Sequence, residues 1–404
     1  MRILFLTDNF PPETNAPATR TWEHIRVWAA EGHEITVITT APNFPKGEVF
    51  DGYRNAWRSV EMIDGIRVVR VKTYIAANAG TLKRMLDYIS FMVSATFFGL
   101  FEKRPDVIVA TSPQFFTACA GFALSVLRWR PWVFELRDLW PDSIIAVGAM
   151  KPSLALRMVE KLELFLYRRA VLVVSVTHAF RQNLIDRGID GDKIKVVTNG
   201  VDASKFQRNA TDTALADSLD LSGKTVIGYV GTHGMAHALD KVLDAAEILK
   251  DRTDIAFLFV GGGAQRAAVE ARGKSMSNVR LLPPQPRERM ASVWSICDVA
   301  LVPLRDTPTF RTVIPSKIFE AMAMGLPILM SLPEGEATGI VQKTESGLTV
   351  PPEDPQSMAS AVVRLADDTD LHKTLGNNGK IAAGEFDRTR LAKSLLGHLV
   401  NINS

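Results

Sequence analysis

The chain has 404 residues, 47% of them apolar and 23% charged, with a net charge of +3. That is enough apolar material for packed cores in two or three domains, most simply two of about 200 residues, and it leaves no reason to invoke a disordered chain. A charge this small argues against nucleic acid as a partner, which would need Lys and Arg clustered on one face.

Residues 1–13, MRILFLTDNFPPE, carry too few apolar residues before Thr7-Asp8-Asn9 for a signal-peptide core, and they read as a first strand. Further strands are expected at 34–39, 66–71, 106–111, 132–136, 171–176 and 195–197. These runs are mostly continuous rather than alternating, as in parallel strands buried on both faces. The polar stretch 202–224 interrupts the pattern, and a second series follows at 225–230, 255–261, 278–282, 298–304, 327–332 and 347–350, with helices from about 355 onward. The expectation is an α/β protein of two Rossmann-like, doubly wound domains facing a cleft, 1–203 and 204–384, followed by a last segment of about 385–404. Ligands of such sheets bind beyond the carboxyl ends of the strands.

No run reaches the roughly 18 apolar residues needed to span a bilayer. The nearest is 88–101, YISFMVSATFFGLF, whose Tyr88, Phe91, Phe97, Phe98 and Phe101 lie between Lys83-Arg84 and Lys103-Arg104. It suits either a core helix or a peripheral helix lying in a membrane interface beside anionic lipid. Cys119 and Cys297 are far apart in apolar segments and read as reduced thiols of a cytosolic protein.

Among the loops after strands, 8–20 contains no glycine and therefore no dinucleotide fingerprint. TSPQ at 111–114 reads as a turn. Arg137 and Asp138 stand at a strand end before Trp140-Pro141, either as a functional pair or as a capping aspartate beside a packed tryptophan. His178 reads as structural. Asp190-Gly191-Asp192 formally matches a metal-binding Asp-x-Asp but lies in a polar turn, and no metal is expected. Asn199-Gly200 marks a turn at the joint, with Asn199 either a turn former or a ligand. In the second half, Gly231, Thr232, His233 and Gly234 follow a strand directly, and Gly262 lies in a second glycine loop after the next. Glycine lets backbone N–H groups approach an anion.

The segment TFRTVIPSKIFEAMAMGLPIL, 309–329, joins these loops to a charged helix start. Ser316 as N-cap would leave first-turn N–H groups and the positive helix end for an anion, with Lys317 adding a full charge. Together they would seat a diphosphate. Glu320, one turn on, is a bidentate acceptor suited to a ribose diol. A solvated Lys–Glu pair is the alternative, worth only about 0.2–0.5 kcal/mol, and it fits poorly among flanks this apolar.

The stretches IPSKIFEAMAMGLPIL, GTHGMAHALD, NGVD and DNFPPE…GHEITVIT resemble the family 4 retaining glycosyltransferases of the GT-B fold. The likeness is nearest the bacterial branch that builds O-antigen, capsule and exopolysaccharide, including transferases of N-acetylated 6-deoxyaminosugars. It implies a nucleoside-diphosphate sugar donor on the second domain, a lipid-linked saccharide or glycan acceptor on the first, and a last helix crossing back to the first domain. It also implies that Glu320 is the second of two family glutamates, the one that holds ribose. The first falls at Thr312, a departure that bears on recognition of the donor sugar. The family's usual Arg and Lys near the first glycine loop are absent, so Lys317, Arg311 and backbone amides would meet the diphosphate. Arg137 and Asp138 stand where many relatives carry a catalytic histidine. The expected activity is metal-independent sugar transfer without a cofactor, on the cytoplasmic face of the membrane. Two other classes are a non-catalytic two-domain sugar-binding protein and a GT-B-like epimerase or phosphorylase.

Overall fold

The computed structural model describes residues 1–44, 46–75, 81–139, 154–207 and 210–402. The chain divides into two compact units, Met1–Thr198 with Arg388–Ser404, and Asn199–Asp387.

The first unit is built on strands β1 (Arg2–Leu6), β2 (Glu34–Thr40), β3 (Arg58–Ile63), β4 (Ile66–Val71), β5 (Val107–Thr111), β6 (Trp132–Leu136), β7 (Leu172–Ser175) and β8 (Ile194–Val196). Their order in the sheet is β3-β4-β2-β1-β5-β6-β7-β8. Strand β1 runs parallel to β2 on one side and β5 on the other, so the strand order reverses at its carboxyl end. Edge strand β3 is the exception to the expected pattern. It pairs antiparallel with β4 through a two-residue turn, Asp64-Gly65, both at positive φ.

Helices α2 (Thr81–Gly99), α3 (Phe115–Arg128), α4 (Leu154–Arg169) and α5 (His178–Asp186) share one face of this sheet, contributing Phe91, Leu124, Tyr167 and Phe180 to a common core. Helix α1 (Ala16–Ala30) and the closing helix, Arg388–Val400, cover the other face with Ile25, Trp28, Leu395 and Leu399. The indole of Trp28 donates to the carbonyl of Ala392 at 2.8 Å, fixing the closing helix on α1.

The second unit holds β9 (Thr225–Val230), β10 (Ile255–Val260), β11 (Val279–Leu282), β12 (Val299–Pro303), β13 (Ile328–Ser331) and β14 (Gly347–Val350), in the order β11-β10-β9-β12-β13-β14. All of these pairings are parallel. Every residue of β10, IAFLFV, is buried, as expected for a strand covered on both faces. Helices α6 (Thr213–Ser218), α7 (Leu239–Ile248), α8 (Arg266–Gly273), α9 (Met290–Ser295), α10 (Lys317–Met324), α11 (Glu336–Lys343), α12 (Pro355–Asp367) and α13 (Thr369–Ala382) complete the unit. The chain enters and leaves it side by side, because Val201 belongs to its core and bridges Asp387.

Candidate functional site

Strand β9 ends at Val230, and Gly231 turns the chain at φ +141°, a conformation that glycine adopts without strain. Its N–H donates to the carbonyl of Val260 at 2.9 Å. The second glycine loop lies against the first. A Cβ on Gly261, at φ +137°, would stand 1.9 Å from the carbonyl oxygen of Gly231. The N–H of His233 donates to Gly262 O at 2.8 Å, and that of Gln265 to His233 O at 2.8 Å. Arg266 braces the second loop by donating to Gly261 O and Leu282 O, each at 2.9 Å. The two loops are therefore one bonded unit at the carboxyl ends of β9 and β10.

Lys317 begins α10 and reaches this unit. Its Nζ lies 3.9 Å above the centre of the Tyr229 ring, and it would stand 3.1 Å from a Cβ at Gly231. The ammonium nitrogen is buried and has no hydrogen-bond partner among the described residues. Burial pushes its pKa down from the ordinary lysine value to about 7, and the charge of Glu320 opposes the shift. A cation resting on an aromatic face without a counter-ion bonded to it is a place prepared for an anion. Glu320 follows one turn later on the same helix, held by the Trp294 indole, which donates to its Oε2 at 3.0 Å. Ser316 occupies the N-cap position in helical geometry, and its side chain makes no capping bond.

His233 and His237 flank Tyr229, with ring centres 5.7 and 5.8 Å away. Burial lowers each to about 4, reinforced by Arg266 at His233 and by Lys317 at both. Both are therefore neutral near pH 7. Neither ring nitrogen of His233 is hydrogen-bonded, although the Val260 carbonyl lies near enough to favour protonation. Thr232 accepts from the Tyr229 hydroxyl through its carbonyl, and Gly234 precedes the 3-10 turn Met235–His237. Gly231, Thr232, His233, Gly234, Gly262, Lys317 and Glu320 thus belong to one neighbourhood. Arg311 and Thr312 end the 3-10 turn Pro308–Thr312. The Arg311 side chain is exposed, and the Thr312 hydroxyl donates to Thr309 O at 3.0 Å. Asn199 stands at the first residue of the unit.

Arg137 and Asp138 lie in the first unit, directly after β6. The Arg137 N–H donates to Ser112 Oγ at 2.8 Å, tying this loop to TSPQ. Burial and the nearby charge of Arg20 lower Arg137 to about 9, while Glu135 works the other way. Arg20 itself bonds Val197 O at 3.0 Å and pairs with Glu135 at 3.3 Å. Trp140-Pro141 lies outside the described residues. Asp190 of the Asp-x-Asp match accepts from the Asp192 N–H at 2.9 Å, as a turn aspartate does.

The sequence reading passed over Tyr229, Trp294 and Arg266. Tyr229 carried a usable signal, an aromatic with a polar tip two residues before a glycine at a strand end.

Comparison with known proteins decides the family. The model described as glycosyl transferases group 1 matches residues 224–368, and the glycosyl transferase 4-like domain matches 15–200. A D-inositol 3-phosphate glycosyltransferase of Corynebacterium urealyticum is 30% identical over 405 residues, covering 90% of this chain and 85% of the relative. The chain belongs to the family 4 glycosyltransferases. Escherichia coli K12 WcaI, described as a colanic acid biosynthesis glycosyl transferase, is 27% identical over 412 residues and 99% of each chain. Among solved structures, sucrose-phosphate synthase of Thermosynechococcus elongatus matches with TM-score 0.76 at 18% identity over 100% of both chains. Anabaena HepE in complex with UDP and glucose matches with TM-score 0.73 at 18% identity over 99% of both. These likenesses identify the fold of this glycosyltransferase as GT-B.

Proposed function

We propose that this glycosyltransferase moves a sugar from a nucleoside-diphosphate sugar, with UDP the leading nucleotide, to a lipid-linked or glycan acceptor in the building of bacterial surface polysaccharide. The observation that carries the reading is the buried ammonium of Lys317, without a hydrogen-bond partner, beside Gly231 and one turn before Glu320. WcaI and HepE, through the names given above, support the polysaccharide and UDP parts. In this reading the second unit holds the donor, with its diphosphate on Lys317 and the loop amides and its ribose on Glu320. Asn199 and Arg311 are secondary donor contacts. The first unit holds the acceptor, with Arg137 and Asp138 beside it.

The reaction proposed is metal-independent and retaining. The bond from the anomeric carbon to the diphosphate oxygen breaks, and a bond to the acceptor hydroxyl oxygen forms on the same face. The hydroxyl proton passes to the departing diphosphate. Charge grows on the diphosphate as its bond breaks, and Lys317 is placed to stabilise it, which is where electrostatic catalysis acts most strongly.

Thr312 replaces a charged acceptor with a neutral hydroxyl, and Phe310 beside it is half-buried against the core. That combination favours a donor sugar with fewer hydroxyls, such as an N-acetylated hexosamine or 6-deoxyhexosamine. Such discrimination is modest, roughly 1–3 kcal/mol.

A thermal-shift screen of UDP, GDP, ADP and TDP tests the donor reading, with UDP expected to stabilise most and Glu320→Ala to abolish the shift. No stabilisation by any of the four removes it. kcat/KM for UDP-glucose, UDP-GlcNAc and a UDP-linked 6-deoxy-N-acetylhexosamine then ranks the sugars, and UDP-glucose as best donor would refute the role given to Thr312.

A further inference from the structure

We infer that helices α2, α3 and α4 form one continuous docking face for an anionic lipid bilayer. The inference deepens the acceptor half of the proposed function, resting on it for its purpose, while the face itself is argued from its own residues.

The 88–101 segment alone is a poor guide to that face. Phe91 is fully buried, Phe98 packs against the core and Tyr88 is half-buried, so only Phe97 and Phe101 of its five aromatics are exposed. The exposed apolar residues of α2 instead form a stripe at helical spacing, Leu86, Ile89, Val93 and Phe97, continued by Leu100 and Phe101. Its exposed charges are the cations Lys83 and Arg84 at one end, and just beyond the other stand Arg104 and Lys103, the latter paired with Glu34.

Helix α4 repeats the design without any hint from an apolar run. Its exposed apolar positions, Leu154, Met158, Leu162 and Phe165, recur every three or four residues. Its other exposed positions are Arg157, Lys161, Arg168 and Arg169. Arg169 lies over the Phe165 ring, 5.4 Å from its centre. Between the two helices, α3 ends in Val126, Leu127 and Trp129, the last 86% exposed. Arg128 binds α3 to the end of α2 by donating to Gly99 O and Leu100 O at 2.8 and 2.7 Å. Phe122 on α3 meets Phe165 on α4 edge to face at 5.2 Å.

The carboxylates of these helices are engaged or set back. Glu102 accepts from Arg58 and Arg67, Glu160 and Glu163 meet Arg187, and Asp87 is half-buried. Large apolar side chains interleaved with cations, with the neighbouring carboxylates paired to basic side chains or set back, match an interface of acyl chains and anionic headgroups. A second copy of this chain would bring like charges together, and a nucleic acid would leave the apolar stripes uncovered. No helix among the described residues is long and apolar enough to cross a membrane, which fits contact at the surface.

The test is flotation of the full chain with phosphatidylglycerol-rich and with pure phosphatidylcholine vesicles, at low and high salt. The expected result is salt-sensitive binding to the anionic vesicles alone. It should fall on the order of tenfold in Arg157→Glu/Lys161→Glu and in Val93→Glu/Phe97→Glu, with the UDP-induced thermal shift retained. Absence of binding, equal binding to both lipids, or unchanged binding by the α4 pair would overturn the three-helix face. So would a wild-type dimer in light scattering that either double variant disperses. Loss of the UDP shift in wild type would count against the donor reading and leave this one standing.

Discussion

Lys317 has been taken out of water with no hydrogen-bond partner among the described residues and only the nearby charge of Glu320 to offset its burial, and its pKa of about 7 is the consequence. A bound diphosphate would supply the missing charge and raise that pKa. Affinity is full below the pKa of the empty site, about 7, and falls as pH rises from there towards the raised value of the complex. Nucleoside-diphosphate binding at pH 8 should therefore take up protons. Calorimetry in two buffers of different ionisation enthalpy measures that uptake, and equal heats in both would place the titrating group elsewhere. Lys317→Ala should lower kcat by more than it raises the donor KM, because the charge it meets grows in the transition state. The larger effect falling on KM would make Lys317 a binding group only. The charged residues of this neighbourhood were legible in sequence because a cation and an anion inside an apolar run need a reason. Trp294 was not, since an aromatic inside an apolar helix gives no sign that its polar edge is used, and Tyr229 showed only its place two residues before a strand-end glycine.

Elements are held to one another here by the absence of side chains. Gly261 meets the backbone of Gly231 so closely that one methyl group would collide with it, in a conformation that already costs a side chain about 1–3 kcal/mol. Gly261→Ala should separate the two loops, lower the melting temperature by several degrees and abolish stabilisation by UDP. A variant that melts and responds to nucleotide as wild type does would show that the loops need not touch. The strands of both sheets were readable where burial on two faces produced continuous apolar runs, as in β10. Strand β3 escaped that test because its burial pattern is mostly exposed. Its Asp64-Gly65 turn was the signal available. The polar group of Arg20, Glu23, Glu135 and Arg388 was invisible for another reason, since Arg388 and Glu23, which bond each other, lie 365 positions apart.

At the scale of the whole molecule, two units with separate cores should respond separately to ligand. Calorimetric unfolding is expected to show two transitions, with UDP raising the one that belongs to Asn199–Asp387. UDP moving both transitions equally would mean that the units unfold as one. Removing residues 388–404 should lower the other transition, because Trp28 and Ile25 lose their cover. Burial of one such side chain contributes about 1.5–3 kcal/mol.

The same return of the chain has a consequence during synthesis. The first unit is interrupted after Thr198 and completed only from Arg388, with about 190 residues made in between. At roughly 5–20 residues per second, a ribosome needs about 10–40 s to cross that interval. For that time the emerging amino-terminal half carries an apolar face waiting for a helix not yet translated. Its dependence on chaperones should therefore be greatest midway through translation, and a rare-codon pause within 199–387 should lengthen that exposure and lower the yield of folded protein without changing one amino acid.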